Sequence, residues 1–322
     1  MILHVIILNY KNKDQTIKCV DSISDCNTPP DCKVEILVVD NASGDGVERI
    51  ITNQYKHIQY IQTGANLGYT GGNNAGIRTI LEKYSNPQDD QMHKQNPSDD
   101  FIFIVNNDTY FKQNFLIELL NSARRHPKAG IISPKIYFTK NSHPKNILDK
   151  NRNPQIAQVN DEVIWYAGGK FDWDNVLGSH RGVDEIDQHQ YDLDSTIDYS
   201  TGCALLITVS VLQQVYGFDT KFFMYYEDVD LSMRIKSKGY ELWYCPQAIM
   251  WHENASASSV GSTLQTYFTT RNRLLIALKY APLRAKLAVI KQAWGFRSDP
   301  LKWKAVSDFF KLNFEKGSFE IK

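Results

Sequence analysis

Apolar positions along this chain repeat with two periods. Ile2-Leu-His-Val-Ile-Ile-Leu8 and Val34-Glu-Ile-Leu-Val-Val39 are short, nearly continuous β-branched runs. That is the pattern of strands buried on both faces of a parallel sheet. A polar stretch with helical spacing at Ile17, Val20 and Ile23 separates them. A helix near Gly46–Gln54 and a short strand over Ile58–Ile61 come next. Strand–helix alternation of this kind predicts an α/β fold with a mostly parallel central sheet. Further on, Phe101-Ile-Phe-Ile-Val105 reads as another buried strand, followed by a helix over 112–126 and a strand near Gly130–Phe138. Residues 85–100 and Asn141–Gln158 are polar and predict surface loops. Val163–Phe171 predicts a strand turning over the cleft. Ile197–Ile207 runs from a turn into an apolar strand, with a helix at 208–216. Tyr240–Tyr244 and Ala248–Glu253 predict two short strands, and 261–297 predicts helices with a stripe at Leu274, Leu275, Leu278, Leu287 and Ile290.

In a parallel sheet the ligand sits beyond the carboxyl ends of the strands. Asn9 and Tyr10 end the first strand, Asp40 and Asn41 the second, and Asn106-Asn107-Asp108-Thr109 the strand at 101–105. Asp40 is suited to accept hydrogen bonds from a ribose or base N–H, or else to close an Asx-turn. A lone carboxylate such as Asp108 at a central strand end suits a hard cation bridging a diphosphate, or else caps the next helix. Gly64-Ala-Asn-Leu-Gly-Tyr-Thr-Gly-Gly-Asn-Asn-Ala-Gly76 reads as a Gly/Asn-rich loop entering a helix. It is neither a P-loop nor a dinucleotide fingerprint.

The densest chemistry lies in Phe222-Phe-Met-Tyr-Tyr-Glu-Asp-Val-Asp-Leu-Ser-Met-Arg234. Glu227, Asp228 and Asp230 open a helix, where the dipole favours negative charge. Asp230 is placed to pair with Arg234 four residues on. Asp228 is left as the carboxylate to face a cleft. An aromatic wall and the adjacent Glu227 tend to raise its pKa, which suits a general base. His252 ends an apolar run, where a neutral imidazole is either a structural hydrogen-bonder or a metal donor. The histidines within 172–196 show no ligand spacing and read as solvated.

The five cysteines show no C-x-x-C spacing, which argues for a reducing compartment and against a zinc site. No run approaches the length of a membrane span, and the N-terminus has no signal-peptide pattern. Formal net charge is zero, but residues 262–322 carry 12 Lys+Arg against 4 Asp+Glu, leaving 24 against 32 for residues 1–261. A basic tail on an acidic body suggests an anionic partner such as a phospholipid surface. No nucleic-acid-binding motif accompanies that charge.

Taken in order, Val5-Ile-Ile-Leu-Asn-Tyr10, Val38-Val-Asp-Asn-Ala-Ser43, Asn66–Gly76, Val105-Asn-Asn-Asp-Thr109, Ser200-Thr-Gly-Cys203, Phe222–Arg234, Trp251-His252 and Thr270-Arg-Asn-Arg273 resemble family 2 glycosyltransferases of the GT-A (Rossmann-like) fold, close to the rhamnosyltransferase-like branch. The resemblance implies a GT-A domain over 1–260 and a C-terminal basic amphipathic helical extension over 261–322. It implies a cytoplasmic enzyme in cell-surface polysaccharide synthesis, and the basic tail suggests peripheral attachment at the inner face of the membrane. Asn9, Tyr10, Asp40, Asn41, Asn66, Gly68, Asn73 and Asn107 would bind the nucleotide sugar, dTDP-rhamnose or a UDP-sugar. Asp108 and His252 would hold Mg²⁺ or Mn²⁺. Asn106 stands where the family's D-x-D motif has its first carboxylate. Asp228 would be the general base of an inverting transfer. Thr201, Gly202, Cys203 and Glu227 would lie by a saccharide or lipid-linked acceptor. Two readings compete: a degenerate domain serving as a binding scaffold, and a sugar nucleotidyltransferase, which would want a glycine-rich loop after the first strand.

Overall fold

The computed structural model describes residues 1–85, 97–142, 147–149, 153–155, 162–253 and 261–321. The elements run β1 (Ile2–Asn9), α1 (Lys13–Ser24), β2 (Lys33–Asp40), α2 (Val47–Gln54), β3 (Gln59–Gln62), α3 (Gly68–Lys83), β4 (Phe101–Asn106), β5 (Thr109–Phe111), α4 (Phe115–Arg125) and β6 (Ala129–Phe138). Short strands follow: β7 (Ile147–Leu148), β8 (Pro154–Gln155), β9 (Ile164–Tyr166), β10 (Gly169–Asp172), β11 (Leu177–His180) and β12 (Ser195–Thr196). The remainder is β13 (Ala204–Thr208), α5 (Val209–Val215), α6 (Glu227–Ser237), β14 (Glu241–His252), α7 (Thr263–Tyr280), α8 (Leu283–Trp294) and α9 (Pro300–Phe310).

The main sheet has the order β12-β14-β6-β13-β4-β1-β2-β3. β4, β1, β2 and β3 are parallel, β6 and β14 are parallel, and β13 is the antiparallel strand between the two sets. Leu3, Val5, Ile6 and Ile7 of β1 are fully buried, as expected of a strand covered by helices on both faces. In-register pairing of Asn9 with Asp40 and of Leu8 with Asn106 brings three polar strand ends to one edge. The chain is thus an α/β fold with a mostly parallel central sheet, flanked by helices and followed by C-terminal helices.

Four local expectations are corrected. The Gly/Asn-rich stretch is a loop only to Leu67, because α3 begins at Gly68. Its glycines are needed for packing: a Cβ on Gly72 would lie 2.5 Å from Leu8, and one on Gly76 3.0 Å from Ile6 and Val39. The two strands expected at 240–244 and 248–253 are one strand, β14, with its pairing to β6 shifted between Cys245 and Ile249. Val163–Phe171 divides into β9 and β10, which belong to different sheets. His180 is not solvated: its ring packs edge-on against Trp165 and Tyr166, and burial pushes its pKa down to about 4. The loops expected at 85–100 and 141–158 lie mostly outside the described residues.

The C-terminal helices pack on the body. Leu274, Leu275 and Ile276 of α7 share a core with Phe171, Tyr199, Phe222 and Val229. Arg271, within the segment that reads as basic and amphipathic, is fully buried. Among the described residues no helix is long and apolar enough to cross a membrane.

Candidate active site

Three strand ends and one helix start frame the site. At the β1 end, Asn9 is fully buried and its Nδ2 donates to Asp40 Oδ1 (3.2 Å) and Ser43 Oγ (2.9 Å). Asp40 also accepts from the Ser43 N–H (3.1 Å) and the Tyr60 hydroxyl (3.0 Å). Its carboxylate therefore braces the turn after β2 with part of its acceptor capacity. Tyr10 is half-buried beside it. Asn41 is buried and clamps the loop before α3, donating to Asn66 Oδ1 and Gly68 O (both 3.0 Å) and accepting from Leu67 N (2.9 Å). Gly68 needs its missing Cβ: at φ +70 a side chain there would meet Phe223 at 2.5 Å. Asn73 is fully buried, donates to Tyr69 O at 2.9 Å, and leaves Oδ1 without a hydrogen-bond partner.

The end of β4 carries the candidate cation site. Asn107 Nδ2 donates to Thr16 Oγ1 at 2.8 Å. Asp108 Oδ1 lies 3.1 Å from His252 Nε2, the last residue of β14. The pair is close but poorly aligned, and both Asp108 Oδ1 and His252 Nδ1 remain buried with no hydrogen bond. Backbone pairing of His252 with Thr109 and a bond from Glu253 N to Asp108 O (2.8 Å) fix the approach. A carboxylate oxygen and an imidazole, buried and otherwise unsatisfied, fit a divalent cation such as Mn²⁺ or Mg²⁺. No group of three or more ligating side chains occurs among the described residues.

The start of β13 joins this pair to the acidic motif. Cys203 O accepts from Asn106 N at 3.0 Å, while Gly202 N donates to Asp228 Oδ2 at 3.0 Å. Thr201 and Cys203 are buried, and burial holds the Cys203 thiol well above its usual range. Tyr69, from the first turn of α3, hydrogen-bonds Gly202 O. Asp228 is half-buried, and Val229 N donates to its Oδ1 at 2.8 Å. Burial raises it to about 6 against these two stabilising N–H bonds. Glu227 is buried with Oε2 unpartnered. Burial first, and then the Asp228 charge, push it well above the usual carboxylate range. Asp230 is structural: it takes Arg234 Nε at 2.8 Å and the Tyr280 hydroxyl at 2.7 Å, and pairs with Lys279.

The loop before α6 is strained. Phe223, Tyr225 and Tyr226 adopt φ of 64, 65 and 68, a left-handed region that costs bulky residues about 1–3 kcal/mol each. Two side chains of α7 hold it, and the sequence offered only their motif, not this role. Asn272 Nδ2 lies 2.8 Å from the carbonyls of Phe222, Met224 and Tyr225. Arg271 Nη2 lies 3.0 Å from those of Lys221 and Phe222. Asn74 does the same on the other side, exchanging two 2.8 Å bonds with the Phe218 backbone. The sequence signal for these residues is the Thr270-Arg-Asn-Arg273 motif.

Known proteins resemble this chain over most of its length. The family described as "Glycosyltransferase like family 2" matches residues 3–275. An N-acetylglucosaminyl-diphospho-decaprenol L-rhamnosyltransferase of Mycobacterium tuberculosis is 28% identical over 262 residues, 80% of this chain and 78% of the relative. The rhamnosyltransferase WbbL of Escherichia coli is 24% identical over 258 residues, 79% and 86% of the two chains. Among solved structures, a mannosyltransferase from Pyrobaculum calidifontis in complex with GDP-Man and Mn²⁺ superposes with a TM-score of 0.51 over 99% of this chain and 76% of that one, at 14% identity. At that identity the likeness is one of fold.

Proposed function

Since the chain belongs to glycosyltransferase family 2, we propose that it moves a sugar, with inversion, from a nucleoside-diphosphate donor to a hydroxyl of a saccharide on a lipid carrier. The observation that carries this reading is the 201–203 backbone, which bonds Asn106 beside Asp108 on one side and Asp228 on the other. A weakly acidic base and a cation-ready pair thus flank one strand start.

The chain's residues divide the work. Asn9, Tyr10, Asp40, Asn41, Asn66, Gly68, Asn73 and Asn107 shape the nucleotide-sugar side. Asp108 and His252 hold a divalent cation, which when bound supplies positive charge to the departing diphosphate. Thr201, Gly202, Cys203 and Glu227 border the acceptor. Asp228 takes the acceptor hydroxyl's proton, so that oxygen bonds the anomeric carbon as the bond to the diphosphate breaks. The diphosphate leaves with the electron pair. One base on one side of the sugar implies a single displacement and inversion; hydrolases instead need two carboxylates. A pKa raised to about 6 leaves Asp228 ionised at neutral pH yet more basic than an exposed carboxylate.

The relatives named rhamnosyltransferases make dTDP-rhamnose the first donor to try, with a UDP-sugar next. The decaprenol in one of those names supports a lipid-linked acceptor and work at the inner membrane face, in surface-polysaccharide synthesis. We divide the chain into a catalytic unit over 1–260 and an extension over 261–322. The test is donor binding and turnover across a panel of nucleotide sugars with Mg²⁺, Mn²⁺ or EDTA. One donor that binds and turns over only with metal supports the reading. No binding under any condition sinks it and favours a scaffold.

A further inference from the structure

Helix α8 has two apolar faces. One is ordinary: Ala285, Val289 and Ala293 are buried in the C-terminal core. The other is mostly exposed, with its Ile290 partly buried against that core. At about 100° per residue, Leu283, Leu287, Ile290 and Trp294 fall within one arc of roughly 60°. Leu283 is 71% exposed, Leu287 59% and Trp294 45%. The stripe continues onto α9, where the Phe310 ring lies 5.8 Å from Trp294 and Leu312 follows, 73% exposed.

Charge identifies the occupant. Arg284 and Lys291 flank the stripe on one side and Lys286 on the other, and Arg297 lies over the Trp294 ring at 4.5 Å. From Ala281 to Ser298 there is no Asp or Glu. We propose that this α8–α9 face docks on an anionic phospholipid bilayer, with Leu283, Leu287, Trp294 and Phe310 entering the headgroup boundary and Arg284, Lys286 and Lys291 meeting lipid phosphates. A second copy of the chain fits less well, because self-pairing would bring the same cations face to face.

Placement gives the surface a purpose, which rests on the transferase reading above. Gln292 of α8 accepts from Arg273 Nη1 at 2.8 Å, and Arg273 Nη2 donates to Asn175 O at 2.6 Å. Next in the chain, Val176 O accepts from the Tyr226 hydroxyl at 3.3 Å, adjacent to Glu227 and Asp228. A docked α8 would thus hold the acceptor side of the site near the bilayer.

The experiment is co-sedimentation of the full chain with phosphatidylcholine vesicles, with and without phosphatidylglycerol, at low and high salt. The wild type is expected to bind only the anionic vesicles, and less at high salt. The L283Q/L287Q/W294Q variant is expected to bind at least about tenfold more weakly, with an unchanged circular-dichroism spectrum and unchanged donor binding. R284Q/K286Q/K291Q should lose mainly the salt-sensitive part. The proposal is overturned if the wild type ignores anionic vesicles, if the Gln variant binds them equally, or if the wild type is a dimer that this variant makes monomeric. A wild type that binds donor but not anionic vesicles defeats the docking surface alone. Vesicle binding without any donor binding defeats the transferase reading alone.

Discussion

The Asn272 amide nitrogen lies 2.8 Å from the Tyr225 carbonyl oxygen, across 47 residues of sequence. The same nitrogen reaches the Phe222 and Met224 carbonyls, so two N–H groups serve three acceptors in a loop where Phe223, Tyr225 and Tyr226 are left-handed. Helix α7 therefore sets the shape of the loop that presents Glu227 and Asp228.

Asn272→Ala removes that brace and leaves buried carbonyls unpaired, at a cost of about 1–3 kcal/mol. The expected result is a lower melting temperature and a fall in kcat of at least about tenfold, since small misplacements near the chemistry are costly. KM for the donor should change little, because Asn9, Asp40 and Asn41, proposed above for the donor side, are held elsewhere. A parallel loss of donor affinity would show that Asn272 supports the fold generally and is not a positioning residue.

Asp228→Asn should lower transfer by about 10²–10⁴-fold while donor binding survives, as expected on loss of a general base. In the wild type, kcat/KM should rise with pH and level off above about 6, because only the ionised carboxylate takes the proton. A flat profile from pH 4 to 8, or an active Asn variant, would remove Asp228 from that role.

Glu227 and Asp228 also predict a stability slope. Both carboxyls hold protons more tightly folded than unfolded. Through these groups the native state loses stability as pH rises, in the Asp228 case from 3.8 to about 6. Glu227→Gln keeps the shape and removes one buried charge. Denaturant titrations over pH should show a shallower decline for this variant, and an identical slope would refute the assignment.

Asp108→Asn and His252→Ala should each raise the Mn²⁺ concentration needed for half-maximal activity by at least about tenfold, since even outer-shell partners of metal ligands matter that much. Calorimetric titration of Mn²⁺ in the presence of a nucleoside diphosphate checks this without relying on turnover. Equal Mn²⁺ affinity in both variants would place the cation elsewhere.

Gly68→Ala forces a Cβ into the left-handed region and to 2.5 Å from Phe223. A loss of about 1–3 kcal/mol is expected from strain and overpacking. Thermal unfolding measures it, and a wild-type melting temperature would mean that the α3 start can move aside.

Much of this was legible in the chain. Continuous β-branched runs at 2–8, 34–39 and 101–105 announced buried parallel strands, because only strands covered on both faces lack a polar alternation. Polar residues stopping those runs marked the strand ends, and three acids before an apolar helical pattern marked the start of α6. Those signals are local, written within a few residues of one another.

What the sequence could not decide are the contacts made between distant segments. Asp108 and His252 meet because β14 pairs with both β5 and β6. Gly72 and Gly76 lie in a stretch that reads as a loop, yet they are small because Leu8, Ile6 and Val39 lie against them. Arg271 lies in a segment that reads as basic and amphipathic, whereas Leu278 and Leu287 belong to its predicted apolar stripe, yet Arg271 is buried and both leucines are exposed. Burial depends on which face of a helix meets the body. Periodicity fixes the faces of a helix, and only the tertiary partner selects which one is covered.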